Sequence, residues 1–147
     1  MMLIGTFELA LEPSGRLVLP PAFRSAIDEG LTITRGFDRC LQAFPGVTWR
    51  ALARRVSDLP LAVDAARHAR RLIFAAAADL ALDATGALTL PRPLLTYAEL
   101  SSSAVLVGME SFFEIWAPEA WRTANDQVLA SVGRWAGPDL PLAIAAI

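Results

Sequence analysis

The chain has 147 residues, 54% of them hydrophobic, a net charge of −2 and one cysteine. That length holds one compact domain, or two interlocked halves of about 70 residues, each too small for a fully independent core. The positive mean hydropathy excludes a disordered chain and leaves apolar surface for contacts between subunits, while a lone cysteine excludes an internal disulfide.

In chain order, MMLIGTFELA has no basic segment, long apolar core or small-residue cleavage site, so no secretory signal is expected and the protein is read as cytoplasmic. GTFELAL alternates polar and apolar residues and RLVLP resumes the alternation after EPSG, which predicts two short strands joined by a tight turn with Gly15 at its positive torsion. Pro20 ends the second strand and PAFRSAI forms a short helical turn. LTITRG and CLQAFP predict a second strand pair, in which Cys40 reads as a packed residue rather than a reactive one. Helices follow over about 47–57 and 61–74. The apolar run LIFAAAADLAL is interrupted by Asp79 and falls well short of a membrane span. RPLLTYAEL predicts another helical turn, AVLVGM with FFEIWA another strand pair, and residues 118–132 a helix with Pro118 at its start and Glu119 in its first turn. The proline-broken, apolar GPDLPLAIAAI is expected to pack on a neighbour or stay loose.

The second half repeats the first. At an offset of 71, Leu11, Glu12, Gly15, Leu17, Leu19 and Pro20 match Leu82, Asp83, Gly86, Leu88, Leu90 and Pro91. After a slip of one residue, Gly36, Leu41, Trp49 and Arg50 match Gly108, Phe113, Trp121 and Arg122, with Phe44 opposite Trp116. This is a duplication, and the expected fold class is mostly β with short helices. The expected organisation is a first half over 1–60, a connecting helix over 61–75, a second half over 76–132 and a tail over 133–147. The halves differ in charge. Residues 1–73 carry ten arginines against seven acids, a balance of +3, and residues 74–147 carry three against eight, a balance of −5. A polyanion should prefer the first half.

The order GTFELALEPSGRLVLPPAFR, LTITRGFDRCLQAFP, FAAAADLALDATGALTLPRPLL and VLVGMESFFEIWAPEAW resembles the MraZ family along about residues 3–125. The resemblance implies two AbrB-type swapped-hairpin β-barrel halves in one chain. It also implies a ring-like homo-oligomer acting as a nucleoid-associated transcriptional regulator, which binds short direct repeats of double-stranded DNA in the promoter of the division and cell-wall gene cluster. The family's signature, Asp-x-x-x-Arg once per half, corresponds to Glu12-Pro-Ser-Gly-Arg16 and to Asp83-Ala-Thr-Gly-Ala87. An arginine that the family commonly carries after the second strand corresponds to Arg24, and Leu95 stands at the equivalent second-half place. The cations are therefore missing from the second copy.

The expected DNA-binding residues are Arg16, Glu12, Arg24 and Gly15, with Asp83, Gly86 and Ala87 as the weakened second-repeat equivalents. An arginine on a tight turn can meet two phosphate oxygens or the O6 and N7 edge of guanine. A carboxylate four residues earlier can fix its rotamer beforehand. The plain alternative is a surface ion pair of little consequence. Arg35 and Arg39 divide between DNA contact and ordinary solvated or intersubunit roles. Arg67, Arg70 and Arg71 share one helix face with His68 nearby, which reads as a solvated basic side or as a phosphate-holding one. Trp49 and Trp121 read as core anchors rather than base-stacking platforms.

Catalysis is not expected. One histidine gives no metal cluster, no phosphate loop or nucleophile elbow is present, and Asp79, Asp83 and Glu110 read as strand-end and turn residues. No cofactor, metal, membrane partner or small-molecule substrate is implied. An alternative to the DNA-binding regulator is an oligomeric scaffold that has lost most of its DNA binding.

Overall fold

The computed structural model describes residues 2–135. Alternating sequence and β-branched or aromatic residues produce the strands β1 (Thr6–Ala10), β2 (Arg16–Val18), β3 (Leu31–Arg35), β4 (Leu41–Pro45), β5 (Ala78–Leu80), β6 (Ala87–Thr89), β7 (Ser103–Gly108) and β8 (Phe113–Trp116). The helices are α1 (Pro21–Arg24), which continues as a 3₁₀ turn over Ser25–Ile27, α2 (Gly46–Ser57), α3 (Asp64–Phe74), α4 (Arg92–Tyr97) and α5 (Pro118–Trp135). Prolines set several of these starts, since each fixes φ and lacks a donor that the first helical turn would leave unused. Helix α3 begins at Asp64 rather than at Leu61, because the chain is still extended at Val63 (φ −93°, ψ 127°). Helix α5 runs three residues past the predicted end. The proline-broken run 137–147 lies outside the described residues.

Each expected strand forms, and the expected pairs β3–β4 and β7–β8 are local hairpins, but the other pairings cross between the halves. Strand β1 pairs with β7 and β2 with β6, each antiparallel and each across the two halves. Strand β5 likewise pairs with β3, and β4 with β8. The turn after β1 closes tightly, with the Gly15 amide donating to the Glu12 carbonyl at 2.8 Å, and the strands leaving it then go to partners in the other half. The main sheet has the order β1-β7-β8-β4-β3-β5, with β2 and β6 forming a separate ribbon. The six-stranded sheet is open at β1 and β5 rather than closed into a barrel.

A pseudo-two-fold axis relates the halves. It passes between Leu17 and Leu88, which face each other in the ribbon, and between Gln42 and Glu114 in the sheet. One sequence match needs correction. Arg35 pairs with Leu41 and Gly108 with Phe113, so the counterpart of Gly108 is Arg35, not Gly36. The first-half hairpin loop, 36–40, is one residue longer than its counterpart 109–112, which shifts the register.

The core lies where the interlocked strands face the short helices. Phe23, Leu17, Leu88, Leu94, Ile33, Leu106 and Phe113 are buried there. The Phe23 ring stands edge-on to Phe7 at 5.3 Å and tilted on Phe113 at 5.2 Å, so residues from both halves close one shared core, as expected of halves too small to build two. A second cluster of Cys40, Val105, Val107 and Trp116 packs beneath α5 through Trp121. Cys40 is buried, and burial first, then the charges of Glu114 and Asp38, push its thiol up to about 12, which leaves it protonated and unreactive.

Candidate nucleic-acid interface

The two acid-x-x-Gly turns meet at one end of the molecule because β2 and β6 lie side by side. Each turn has the same backbone. Glu12 and Asp83 donate their amides to the carbonyls of Arg16 and Ala87 at 3.0 and 2.9 Å. Gly15 and Gly86 take φ values of +90° and +83°, which L side chains rarely adopt. The turns are also bonded to each other's half, since the Leu19 amide donates to the Gly86 carbonyl at 3.1 Å and the Leu90 amide to the Gly15 carbonyl at 2.9 Å. The close approach leaves no room for side chains at the glycines. A Cβ on Gly15 would lie 2.6 Å from the Leu90 oxygen and one on Gly86 would lie 2.4 Å from Arg24 Nε.

Arg16 projects between the turns. Its Nη1 donates to Glu12 Oε2 at 3.1 Å, its Nε to Asp83 Oδ2 at 3.1 Å, and its Nη2 to the Thr85 hydroxyl. The two carboxylates raise the guanidinium's affinity for its proton, Glu12 first. Asp83 is held well below the usual carboxylate range, first by the Thr85 hydroxyl and then by the Ala87 amide, with Arg16 contributing. Its Oδ1 accepts from the Thr85 amide at 2.9 Å, the Thr85 hydroxyl at 2.7 Å and the Ala87 amide at 3.0 Å. Because all three groups are partly exposed, these ion pairs fix geometry more than they add stability.

Arg24 is the second cation of this end. Its Nε donates to the Leu19 carbonyl at 2.9 Å and its guanidinium lies over Gly86. The counterpart Leu95 lies over Gly15 in the same way. Both first-half cations therefore bracket the second-half turn, while the first-half turn meets Leu95, and the buried Ala87 stands at the place equivalent to Arg16. Arg16, Arg24, Glu12 and Asp83 balance to zero formal charge, so this end is a patterned patch rather than a basic field. The structure brings the expected Arg16, Glu12 and Arg24 together with Asp83 at this end; sequence reading missed Thr85 and the pairing of Asp83 with Arg16. The signal available was Asp83-x-Thr85, a side-chain turn motif that presents a fixed carboxylate.

Several remaining arginines serve the fold. Arg35 donates from Nε and Nη2 to the Leu72 and Arg71 carbonyls at 2.8 and 2.7 Å, closing the last turn of α3, and its guanidinium lies 5.9 Å from the Tyr97 ring centre. Arg39, at φ +61°, sits 5.0 Å over the same ring. Arg70 donates to the Ser57 carbonyl at 2.9 Å and ties α3 to the end of α2, and Arg67 pairs with Asp64. Arg71 and His68 are exposed. Trp49 packs against Phe44 and Phe74, and Trp121 against Trp116, as core anchors do.

The family model described as "MraZ protein, putative antitoxin-like" matches residues 2–72 and again 73–132. The chain belongs to the MraZ family. The two matches agree with the duplication, each MraZ repeat supplying one acid-x-x-Gly turn. A protein named "Transcriptional regulator MraZ" from Roseiflexus sp. (strain RS-1) is 41% identical over 92% of this chain and 94% of its own length. Its namesake from Herpetosiphon aurantiacus is 46% identical over 85% and 87%, and that from Lactiplantibacillus plantarum 38% over 88% and 92%. No helix among the described residues is long and apolar enough to cross a membrane.

Proposed function

We propose that this protein is a non-enzymatic transcriptional regulator that binds double-stranded DNA in a sequence-specific way. It acts as a ring-like homo-oligomer on direct repeats in the promoter of the division and cell-wall gene cluster, in the cytoplasm at the nucleoid. Membership of the MraZ family supports regulation, and the observation that carries the contact is Arg16 held between Glu12 and Asp83. Fixing the guanidinium before DNA arrives lowers the ordering cost of a base or phosphate contact. Arg24 is the second contact of the same subunit, and Gly15 and Gly86 let the backbone of the two turns come close to the duplex. The organisation expected from sequence, two halves joined through the segment 61–75, serves to place these turns together.

A neutral patch captures DNA weakly, because few counterions are released when only about two phosphates are neutralised per subunit. Linked subunits on repeated sites compensate by binding together, at a high effective concentration after the first contact. Sequence preference then outweighs non-specific attraction.

The second reading is an oligomeric scaffold with little DNA binding. It draws on Ala87, which leaves Glu12 without a second guanidinium, and on the engagement of Arg16 by two carboxylates.

Fluorescence anisotropy against the gene's own upstream DNA and a scrambled duplex, at two salt concentrations, separates the readings. The regulator binds the upstream DNA preferentially, weakens at higher salt, and loses affinity about tenfold or more on Arg16→Ala with a shallower salt slope. Equal binding to both duplexes, unaffected by Arg16→Ala, favours the scaffold.

A further inference from the structure

The pseudo-two-fold leaves one place unfilled. In the first half, α3 covers the outer face of β3: the Thr34 hydroxyl donates to the Ile73 carbonyl, Arg35 holds the Leu72 and Arg71 carbonyls, and Trp49 meets Phe74 edge-on at 6.0 Å. The counterparts of Thr34, Arg35 and Trp49 are Val107, Gly108 and Trp121. Beside Val107 and Trp121 lies an open groove of about 970 Å³, lined along α5 by Val128 and Trp135, by Trp116, and by two carboxylates, Asp38 and Glu114. No described element of the second half fills it as α3 fills the first-half position.

A matching surface stands on the first half. At the corner between α2 and α3, Leu59, Leu61 and Val63 are 38%, 60% and 49% exposed, which is unusual for three apolar side chains so close in sequence. Arg54 and Arg55 precede the corner and Arg71 follows it, all exposed. Asp58 and Asp64 flank the corner, but Arg54, Arg55, Arg67, Arg70 and Arg71 outnumber them five to two, so an apolar knob in a net positive surround meets an apolar groove edged by carboxylates, and the half balances of +3 and −5 favour the same approach at longer range.

We propose that the groove along α5 receives the Leu59–Val63 corner of a second copy of this chain. Knob and groove are different surfaces of one molecule, so the contact is head-to-tail, leaves a free knob and a free groove at the ends, and closes only as a ring. The proposal rests on the homo-oligomer reading above and supplies its joint. Residues 139–144, DLPLAI, nearly repeat the corner's DLPLAV at 58–63, but Trp135 and Ala136 stand where Arg54 and Arg55 precede the corner, which makes the corner of the second copy the better match for the carboxylates.

Light scattering after size-exclusion chromatography tests the joint in the full chain, using Leu61→Asp to block the knob and Val128→Asp to block the groove. Both positions are exposed, so each variant should fold, which circular dichroism checks. The wild type is expected to be a multi-subunit assembly and each variant alone to fall to the 15.8 kDa of a single chain. An equimolar mixture of the two should form a dimer and stop there, because one intact groove then meets one intact knob. A variant that keeps the wild-type mass, or a mixture that stays monomeric, overturns the assignment. If Leu61→Asp assembles and binds DNA as the wild type does, only the joint falls. A monomeric wild type overturns the joint and the ring reading together. Leu142→Asp should leave the mass unchanged, and loss of assembly in that variant would give the groove to residues 139–144 and overturn the proposal.

Discussion

The seam between the two turns depends on single atoms. Gly86 combines φ +83° with Arg24 Nε 2.4 Å from where a Cβ would stand, so Gly86→Ala meets both a strained torsion and an arginine that is itself tied to Leu19. A loss of about 2 kcal/mol is expected from the shift in urea midpoint. Gly133, with nothing within 4 Å of its Cβ position and lying inside α5, provides the contrast, since Gly133→Ala should stabilise by up to about 1 kcal/mol. At this scale the sequence announced Gly15, Gly86 and the Glu12–Arg16 pair, because turn glycines and i, i+4 charges are local signals. It did not announce Arg16 with Asp83, which are 67 residues apart and meet only because β2 and β6 pair. A contact of that kind has no periodicity to read.

Among the elements, the same limit separates strands from their partners. Alternation in TFELA and LTITR marks a two-sided strand wherever it pairs, so β1 and β3 were legible while their attachment to β7 and β5 was not. The hairpin-like spacing of β1 and β2 pointed to a local pair, and the structure opens that pair, β1 joining β7 and β2 joining β6 of the other half. Helix α3 shows how side chains resolve such ambiguity. Its terminal carbonyls are taken by Arg35, an arginine that sequence reading left divided between DNA and other roles. Arg35→Ala should destabilise the fold by roughly 1–3 kcal/mol, through loss of two charge-assisted hydrogen bonds, and should leave DNA affinity unchanged when stability and anisotropy are measured on the same preparation. A fall in affinity without a fall in stability would return Arg35 to the interface.

For the molecule as a whole, duplication gives two equivalent turns, and the arginines at the places of Arg16 and Arg24 are present in the first half alone. Ala87 faces the first-half turn as Arg16 faces the second, so Ala87→Arg places a guanidinium within reach of Glu12 and restores the symmetric arrangement. The expected result is tighter binding to the upstream DNA with a salt slope steeper by about 0.9 per engaged subunit, read by anisotropy; an unchanged slope would mean that this end of the molecule does not face the duplex. Residue matches at offsets of 71 and 72 made the duplication legible from sequence and the resemblance made the family so, but the asymmetry gained physical meaning only when both first-half arginines were found on the second-half turn.

The strand exchange also changes what the covalent chain is for. Since β1, β2, β3 and β4 each have a partner contributed by the other half, a break in the backbone at the 58–63 corner of a single subunit would leave every one of those ladders intact. The linker therefore serves less as a structural member than as a tether. It converts what would be a concentration-dependent meeting of two peptides into an intramolecular event at about millimolar effective concentration, so that folding does not depend on how much of the protein is present.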